Sequence, residues 1–168
     1  MELLERLMEL SFWEKFADAH GSLAMFSLVL YGAAIALYFA VLKNRDLLGW
    51  FKNTLLALFT DLVILDIFGL SVYVPYRAAG GPRTILKSSE STSWLHAIVF
   101  EHKEFLAFAP PLLVLTALLL LWRTGKDYGE KEFIYARRAI IFSLVTALVF
   151  TLVVAAEAVL VTKVAPVS

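Results

Sequence analysis

Four long apolar runs divide the chain, at residues 22–42, 54–76, 94–122 and 139–162. Each run is long enough to cross about 30 Å of hydrocarbon, which needs about 20 helical residues. Because lipid offers the backbone no hydrogen-bond partners, each run is expected to be an α-helix. The pattern therefore predicts an all-α integral membrane four-helix bundle of up-down-up-down topology, with residues 1–168 as one domain.

Composition supports this class of protein and excludes others. Sixty per cent of the 168 residues are apolar, against about 45–50% in soluble domains, so the chain is expected to have lipid as a second solvent. The absence of cysteine excludes disulfides, thiolate-bound metal centres and covalently attached c-type haem. Net charge is zero and no stripe of basic residues is present, so no nucleic-acid partner is expected.

Residues 1–19 precede the first run and are predicted to form a separate amphipathic helix. Leu3, Leu7 and Leu10 follow helical spacing, as in helices that lie in the bilayer interface. A docking surface for a partner subunit is the alternative interpretation. Mixed acidic and basic residues make the segment unlike a secretory signal.

Basic residues predict the orientation in the membrane. The short loops after the first and third runs are dense in them: Lys43, Arg45 and Lys52 in one, and Arg123, Lys126, Lys131, Arg137 and Arg138 in the other. The positive-inside rule then places both loops in the cytoplasm and both termini on the external side of the cell membrane. The segment 77–93 becomes an external loop in this multi-pass arrangement.

Ionisable residues inside lipid-crossing helices are costly, so each is a functional candidate by default. They are His20, Asp61, Asp66, His96, Glu101, His102, Glu104 and Glu157. At a rise of 1.5 Å per residue, four of them lie about 28–34 Å along their helices from the basic loops, in one layer near the external edge. These four are His20, His102, Glu104 and Glu157. Asp66 is lower, at about 21 Å.

The two histidines of this layer suggest a cofactor. The first and third runs are diagonal neighbours in an up-down bundle, so His20 and His102 could face each other across the core. Two neutral imidazoles in this arrangement commonly hold haem b without covalent attachment. Arg77, Arg83 and Lys87 of the external loop would lie near the haem propionates. Small residues near the first histidine would leave room for the macrocycle: Gly21, Ala24 and Ser27.

The placement of histidines resembles that of the small membrane-bound b-type cytochromes. His20 opens one span with a glycine after it, and residues 101–104, Glu-His-Lys-Glu, open another. That family usually holds its ligands deeper and often has four histidines for two haems, whereas this chain has three histidines in all. The resemblance implies an electron-transfer protein, such as the membrane subunit of an oxidoreductase. It would pass electrons between a quinol and an external acceptor.

A metal ion without haem is a second interpretation of the same residues. Carboxylates and imidazoles from several helices hold iron or manganese in bundle cores, and His20, His102, Glu104 and Glu157 are such a set. A copper or zinc ion held by the two histidines is a further possibility for this site. His96 competes as a ligand on the third run, although six residues place it on another face from His102. Its alternative interpretation is an exposed or interfacial histidine.

The remaining acidic residues suggest proton handling. Glu157 has apolar neighbours, and either it or Asp66 could take protons from a quinol. Asp61 and Asp66 lie about 140° apart around one helix, so they cannot face the same spot. Asp61 is expected to bond to a neighbouring span, with Tyr31, Thr146 and Thr151 as the partners considered.

Two other functions fit the same pattern. A structural or anchor subunit of a larger membrane complex would suit the short loops and the apolar surface, and it would bind partner subunits or copies of itself. A small carrier of ions or metals would use Asp61, Asp66 and Glu157.

Overall fold

A computed structural model describes residues 11–165, which form a bundle of four helices long and apolar enough to cross a membrane. Three spans are single helices: α1 (Phe12–Lys43), α2 (Leu48–Arg77) and α7 (Ile134–Val164). The remaining span joins four pieces: α4 (Glu90–Trp94), a π-helical segment (Leu95–Phe100), α5 (Glu101–Ala107) and α6 (Ala109–Thr124). The short helix α3 (Pro82–Lys87) precedes it. The predicted all-α four-helix bundle is confirmed, with no strand in the described residues.

The helices pack in the order in which they follow one another along the chain. The main contacts join α1 to α2 and α6 to α7, and α2–α6 and α1–α7 contacts close the ring. The first and third spans are therefore diagonal neighbours, as the short loops predict. Apolar side chains from all four spans fill the interior, among them Tyr31, Leu55, Leu58, Val114, Leu118 and Leu144.

The outer surface of the bundle is apolar as well. Large side chains point outward along every span, and Phe105 is 81% exposed. A soluble bundle would place polar residues on this surface. Helices that are apolar on all sides are instead expected in lipid, which the protein then needs as its solvent.

The start of the first span differs from the prediction. A capping box begins α1: the Glu14 amide donates to Ser11 Oγ, and the Ser11 amide donates to the Glu14 carboxylate. The helix then continues without a break, and the Phe16 ring stacks on Phe68 with centroids 4.7 Å apart. Residues 12–19 thus belong to the first span rather than to a separate interfacial helix. Residues 1–10 lie outside the described part of the chain.

The two basic loops meet at one end of the bundle, which we call the loop end. They contain the 3-10 turns Arg45–Leu47, Gly125–Gly129 and Lys131–Phe133. Arg45 Nη2 lies 2.8 Å from Glu130 Oε1 and joins the two loops. Arg137 donates to the backbone carbonyls of Tyr128 and Glu130, at 2.6 and 2.7 Å. The basic loops therefore share one side of the membrane, and its identity as the cytoplasmic side stays a prediction.

The opposite end, which carries all three histidines, is called the histidine end. Here the third span is irregular. Pro110 and Pro111 have no backbone N–H, and the helix is interrupted at Phe108 before it restarts at Ala109. The restart places both prolines in a first turn, where no N–H is needed. The π-helical segment lies further toward the end of the bundle, and such segments are frequent at functional sites.

Candidate functional site

His102 and Glu157 join the third and fourth spans at the histidine end. His102 Nδ1 lies 2.6 Å from Glu157 Oε1, and the two side chains are 56% and 17% exposed. The second carboxylate oxygen, Oε2, is buried and has no hydrogen-bond partner among residues 11–165. The pair thus reaches from the surface into the bundle. Two of the predicted site residues are in direct contact here.

His20 lies against the second span rather than against the third. A Cβ atom added to Gly69 would be 3.3 Å from His20 Cε1, so the glycine provides the space for the imidazole ring. His20 Nδ1 is buried without a partner in the described residues. Buried polar atoms are nearly always hydrogen-bonded, and a buried atom without a partner marks a place where a proton or ligand would be stabilised.

Lys103 is near both of these groups. Its side chain is half-buried and lies within electrostatic range of both His20 and Glu157. The ammonium group is 5.0 Å from the centroid of the Phe100 ring, a distance at which a cation is attracted to the aromatic face. Glu104 is near enough to Lys103 to interact with it as well. The sequence suggested Lys103 only as a partner for Glu101 and Glu104, and its proximity to His20 and Glu157 was not predicted.

Asp61 lies deeper, in the middle of the bundle, and bonds to Ser27 of the first span. Both side chains are buried. Ser27 Oγ also lies 3.2 Å from the Leu23 carbonyl, so its single proton has two acceptors. Asp61 does bond to a neighbouring span as predicted, but the partner is Ser27 and not Tyr31, Thr146 or Thr151. Ser27 therefore fills a polar role rather than leaving space for a macrocycle.

Tyr31 and Thr151 form a second polar contact across the bundle. Their hydroxyl oxygens are 3.2 Å apart, and Thr151 Oγ1 lies 2.9 Å from the Ala147 carbonyl. Because Thr151 gives its proton to that carbonyl, Tyr31 donates to Thr151. This contact joins the first and fourth spans just below the level of Ser27.

Asp66 lies between the two levels on the second span. It is three residues from Gly69, about 4.5 Å of rise, and five from Asp61, about 7.5 Å. The side chain is half-buried, and no side-chain hydrogen bond to it is present in residues 11–165. Counted from the histidine end, the order in depth is therefore His20, then Asp66, then Asp61.

His96 belongs to a separate aromatic cluster. It is buried, and its Nδ1 lies 2.8 Å from the Tyr76 hydroxyl. Tyr76 stacks on Phe100 with ring centroids 3.9 Å apart and planes within 4°. The interpretation of His96 as an exposed histidine is therefore wrong, whereas its place at the membrane interface stays a prediction. The π-helical segment changes the direction in which the side chain points, which regular helical spacing could not indicate.

The predicted ligands do not all come together. Within residues 11–165, no three histidine or carboxylate side chains are close enough to one another to hold a metal ion. From the Tyr31–Thr151 contact, His20 is eleven residues up its helix, about 16 Å, and Glu157 is six residues up, about 9 Å. His20 and the His102–Glu157 pair thus differ in depth by about 7 Å. His102 and Glu157 are joined, Glu104 is near Lys103 without completing a metal site in the described residues, and His96 bonds to Tyr76 instead.

Three predicted cations do share one place. Arg77, Arg83 and Lys87 line an open hollow of about 370 Å³ at the histidine end. The Arg77 guanidinium carbon is 4.3 Å from the centroid of the Tyr73 ring. The hollow is lined by the end of α2 and by α3, and neither His20 nor His102 is among its lining residues.

Comparison with protein-family models, curated proteins and solved structures finds no match to the chain. The resemblance to b-type cytochromes stays a prediction.

Proposed function

We propose that the chain is a multi-pass membrane protein that binds and passes protons between the histidine end and the middle of the bundle. The observation that carries this proposal is the buried contact between Asp61 and Ser27. Intramembrane carboxylates with polar partners are typical of proton relays.

The Asp61 contact suits both protonation states of the carboxyl group. When Asp61 is ionised, it accepts the proton of the Ser27 hydroxyl. When Asp61 is protonated, it donates to Ser27 Oγ, and the Ser27 hydroxyl turns to the Leu23 carbonyl, 3.2 Å away. Because neither state leaves a buried donor without an acceptor, the proton can be gained or lost without rearranging the helices.

Further ionisable groups connect Asp61 with the surface. Asp66 lies above it, then His20, and Lys103 connects His20 with Glu157 through the electrostatic contacts described above. His102 is more than half exposed and opens the series to the surface. The gaps along α2 are longer than a hydrogen bond, so transfer requires bridging water or side-chain rotation.

This series of polar and ionisable groups ends at Tyr31. Toward the loop end, Ala34, Leu58, Val114 and Leu118 are fully buried and close the core with apolar side chains. Protons would therefore enter and leave at the same end. This suits a subunit that exchanges protons with a redox partner such as a quinol, and it does not suit a continuous transmembrane channel.

Infrared difference spectroscopy between acidic and alkaline pH tests the proposal on protein in lipid vesicles. Wild-type protein should show a pH-dependent band of a buried carboxylic acid. Asp61→Asn should remove the Asp61 contribution to this signal, because the amide does not titrate, while contributions from Asp66 and Glu157 can remain. Asp127→Asn, at an exposed carboxylate in the opposite loop, is the matched control and should keep the band. Retention of every such band in Asp61→Asn would refute the proposal.

Haem b electron transfer is the second candidate, and one contact favours it. With Nδ1 bonded to Glu157, His102 has Nε2 free, and metal-bound histidines usually have such a carboxylate partner. His102 would hold the haem, which would supply one-electron transfer, whereas His20 packs against Gly69 and differs from His102 in depth by about 7 Å, so it does not fit as a second ligand. A reduced-minus-oxidised spectrum with elemental analysis, on protein from haem-replete cells, tests haem, copper, iron and zinc together. A sample without a Soret band or stoichiometric metal would rule out this candidate.

A further inference from the structure

A tight turn at Gly80 and Gly81 shapes the hollow at the histidine end. Gly80 has φ of +76°, and a Cβ at Gly81 would lie 2.5 Å from the Pro75 carbonyl oxygen. Only glycine fits these positions, and the tight turn brings α3 back beside the end of α2. Pro82 and Leu86 are buried and fix the apolar side of α3.

Three cations line the hollow, and none of them forms an ion pair with another described residue, although Glu104 lies within electrostatic range of Arg77. Arg83 and Lys87 are four residues apart on α3 and so share a face, and Arg77 ends α2 beside them. The ion pairs that join two described residues, Arg45–Glu130 and His102–Glu157, do not involve this hollow.

Arg83 provides an independent indication of a ligand. Its Nε atom is buried and has no hydrogen-bond partner in the described residues. A buried guanidinium N–H is costly unless it donates to an acceptor. Because guanidinium groups bind phosphate oxygens through paired N–H donors, the acceptor that best fits Nε and its neighbouring nitrogens is a phosphate group.

We infer that this hollow binds a phosphate group, carried by an anionic phospholipid headgroup or by a soluble phosphate. Its position at the end of a lipid-crossing helix is the level at which headgroups lie. Ile85 is exposed on the same short helix, and Thr84 adds a hydroxyl to the lining. The inference does not depend on proton handling, since no residue is shared.

Calorimetric titration of the full-length protein in detergent tests the inference. The ligands are short-chain phosphatidylglycerol, phosphatidylcholine with the same chains, and inorganic phosphate. Phosphatidylglycerol should bind more tightly than phosphatidylcholine. Arg83→Gln and Lys87→Gln should each weaken it about fivefold, the loss expected for one basic residue at an anionic surface. Lys126→Gln removes an exposed cation at the loop end and is the matched control.

The outcomes separate the sources of the phosphate. Tight phosphatidylglycerol binding with weak inorganic phosphate binding supports a lipid headgroup, and comparable binding of both supports a soluble phosphate. Equal losses in Lys126→Gln and Arg83→Gln, or no binding of either ligand, would overturn the inference. Since the Lys87 side chain is exposed, its variant should fold even if Arg83→Gln does not.

Discussion

The two ends of this bundle are built differently. At the loop end, continuous helices pack around fully buried apolar side chains such as Phe51 and Leu55, and the loops are joined by Arg45 and Glu130. At the histidine end, the third span has a π-helical segment and a proline interruption. Among residues 11–165, buried polar atoms without hydrogen-bond partners lie at this end on His20, Arg83 and Glu157, whereas the loop end has one, the Tyr128 hydroxyl.

This difference suggests that the loop end mainly stabilises the fold, whereas the histidine end carries the functional groups. Close-packed apolar side chains stabilise a fold, and polar atoms without partners weaken it. Irregular helices and buried polar atoms without partners are expected at sites where function requires them. The comparison therefore predicts that substitutions at the loop end change mainly stability. Substitutions at the histidine end should change mainly protonation or ligand binding.

The largest effect is expected from Leu118→Ala. Leu118 is 1% exposed in the core toward the loop end, and its truncation would leave a cavity that costs about 2–5 kcal/mol of unfolding free energy. Unfolding by sodium dodecyl sulfate in mixed micelles, followed by circular dichroism, measures the loss. Leu119→Ala is the matched control, because the next residue is 51% exposed and should change stability by less than about 0.5 kcal/mol. Equal losses would show that this core does not hold the bundle together.

A smaller effect is expected from Gly69→Leu at the histidine end. The new side chain would overlap the His20 ring, and overpacking of this kind costs about 1–3 kcal/mol. The imidazole NMR signals of His20 should shift at the same time. Gly32→Leu on the first span is the control, since no atom lies within 4 Å of its added Cβ. An unchanged His20 signal in Gly69→Leu would contradict the packing described here.

The sequence was sufficient for the helices and their arrangement. An apolar run long enough to span the bilayer must form an α-helix in lipid. Short loops then force neighbouring helices to be antiparallel. The diagonal relation of the first and third spans followed from these two facts. The start of α1 could not be predicted from the apolar runs. It depends on the stacking of Phe16 on Phe68, which is a contact between two spans.

The candidate site was harder to predict. The π-helical segment directs His96 toward Tyr76, and spacing rules for regular helices cannot anticipate it. Ser27 also bonds to its own backbone at Leu23, which is the common behaviour of serine in helices. Its contact with Asp61 depends on how the first two spans are aligned, and a single sequence does not reveal that alignment.

The contact between Tyr31 and Thr151 should have a measurable but modest effect. Interhelical hydrogen bonds in membrane proteins contribute about 0.6 kcal/mol on average and at most about 1.7 kcal/mol. A double-mutant cycle with Tyr31→Phe and Thr151→Val isolates the pair, because both changes nearly preserve volume. A coupling energy of zero would indicate that the two hydroxyls, 3.2 Å apart, do not bond in the membrane.

The smallest effect is expected from Glu130→Gln. Glu130 and Arg45 are 54% and 59% exposed, and exposed ion pairs contribute about 0–1 kcal/mol. Arg137 still bonds to the backbone carbonyl of residue 130 in the variant, so the loop keeps its shape. Unfolding free energy should therefore fall by less than about 0.5 kcal/mol at low salt, and by less still at high salt, where the pair is screened. A larger, salt-sensitive loss would mean that the loop contact, rather than the apolar core, accounts for the stability of this end.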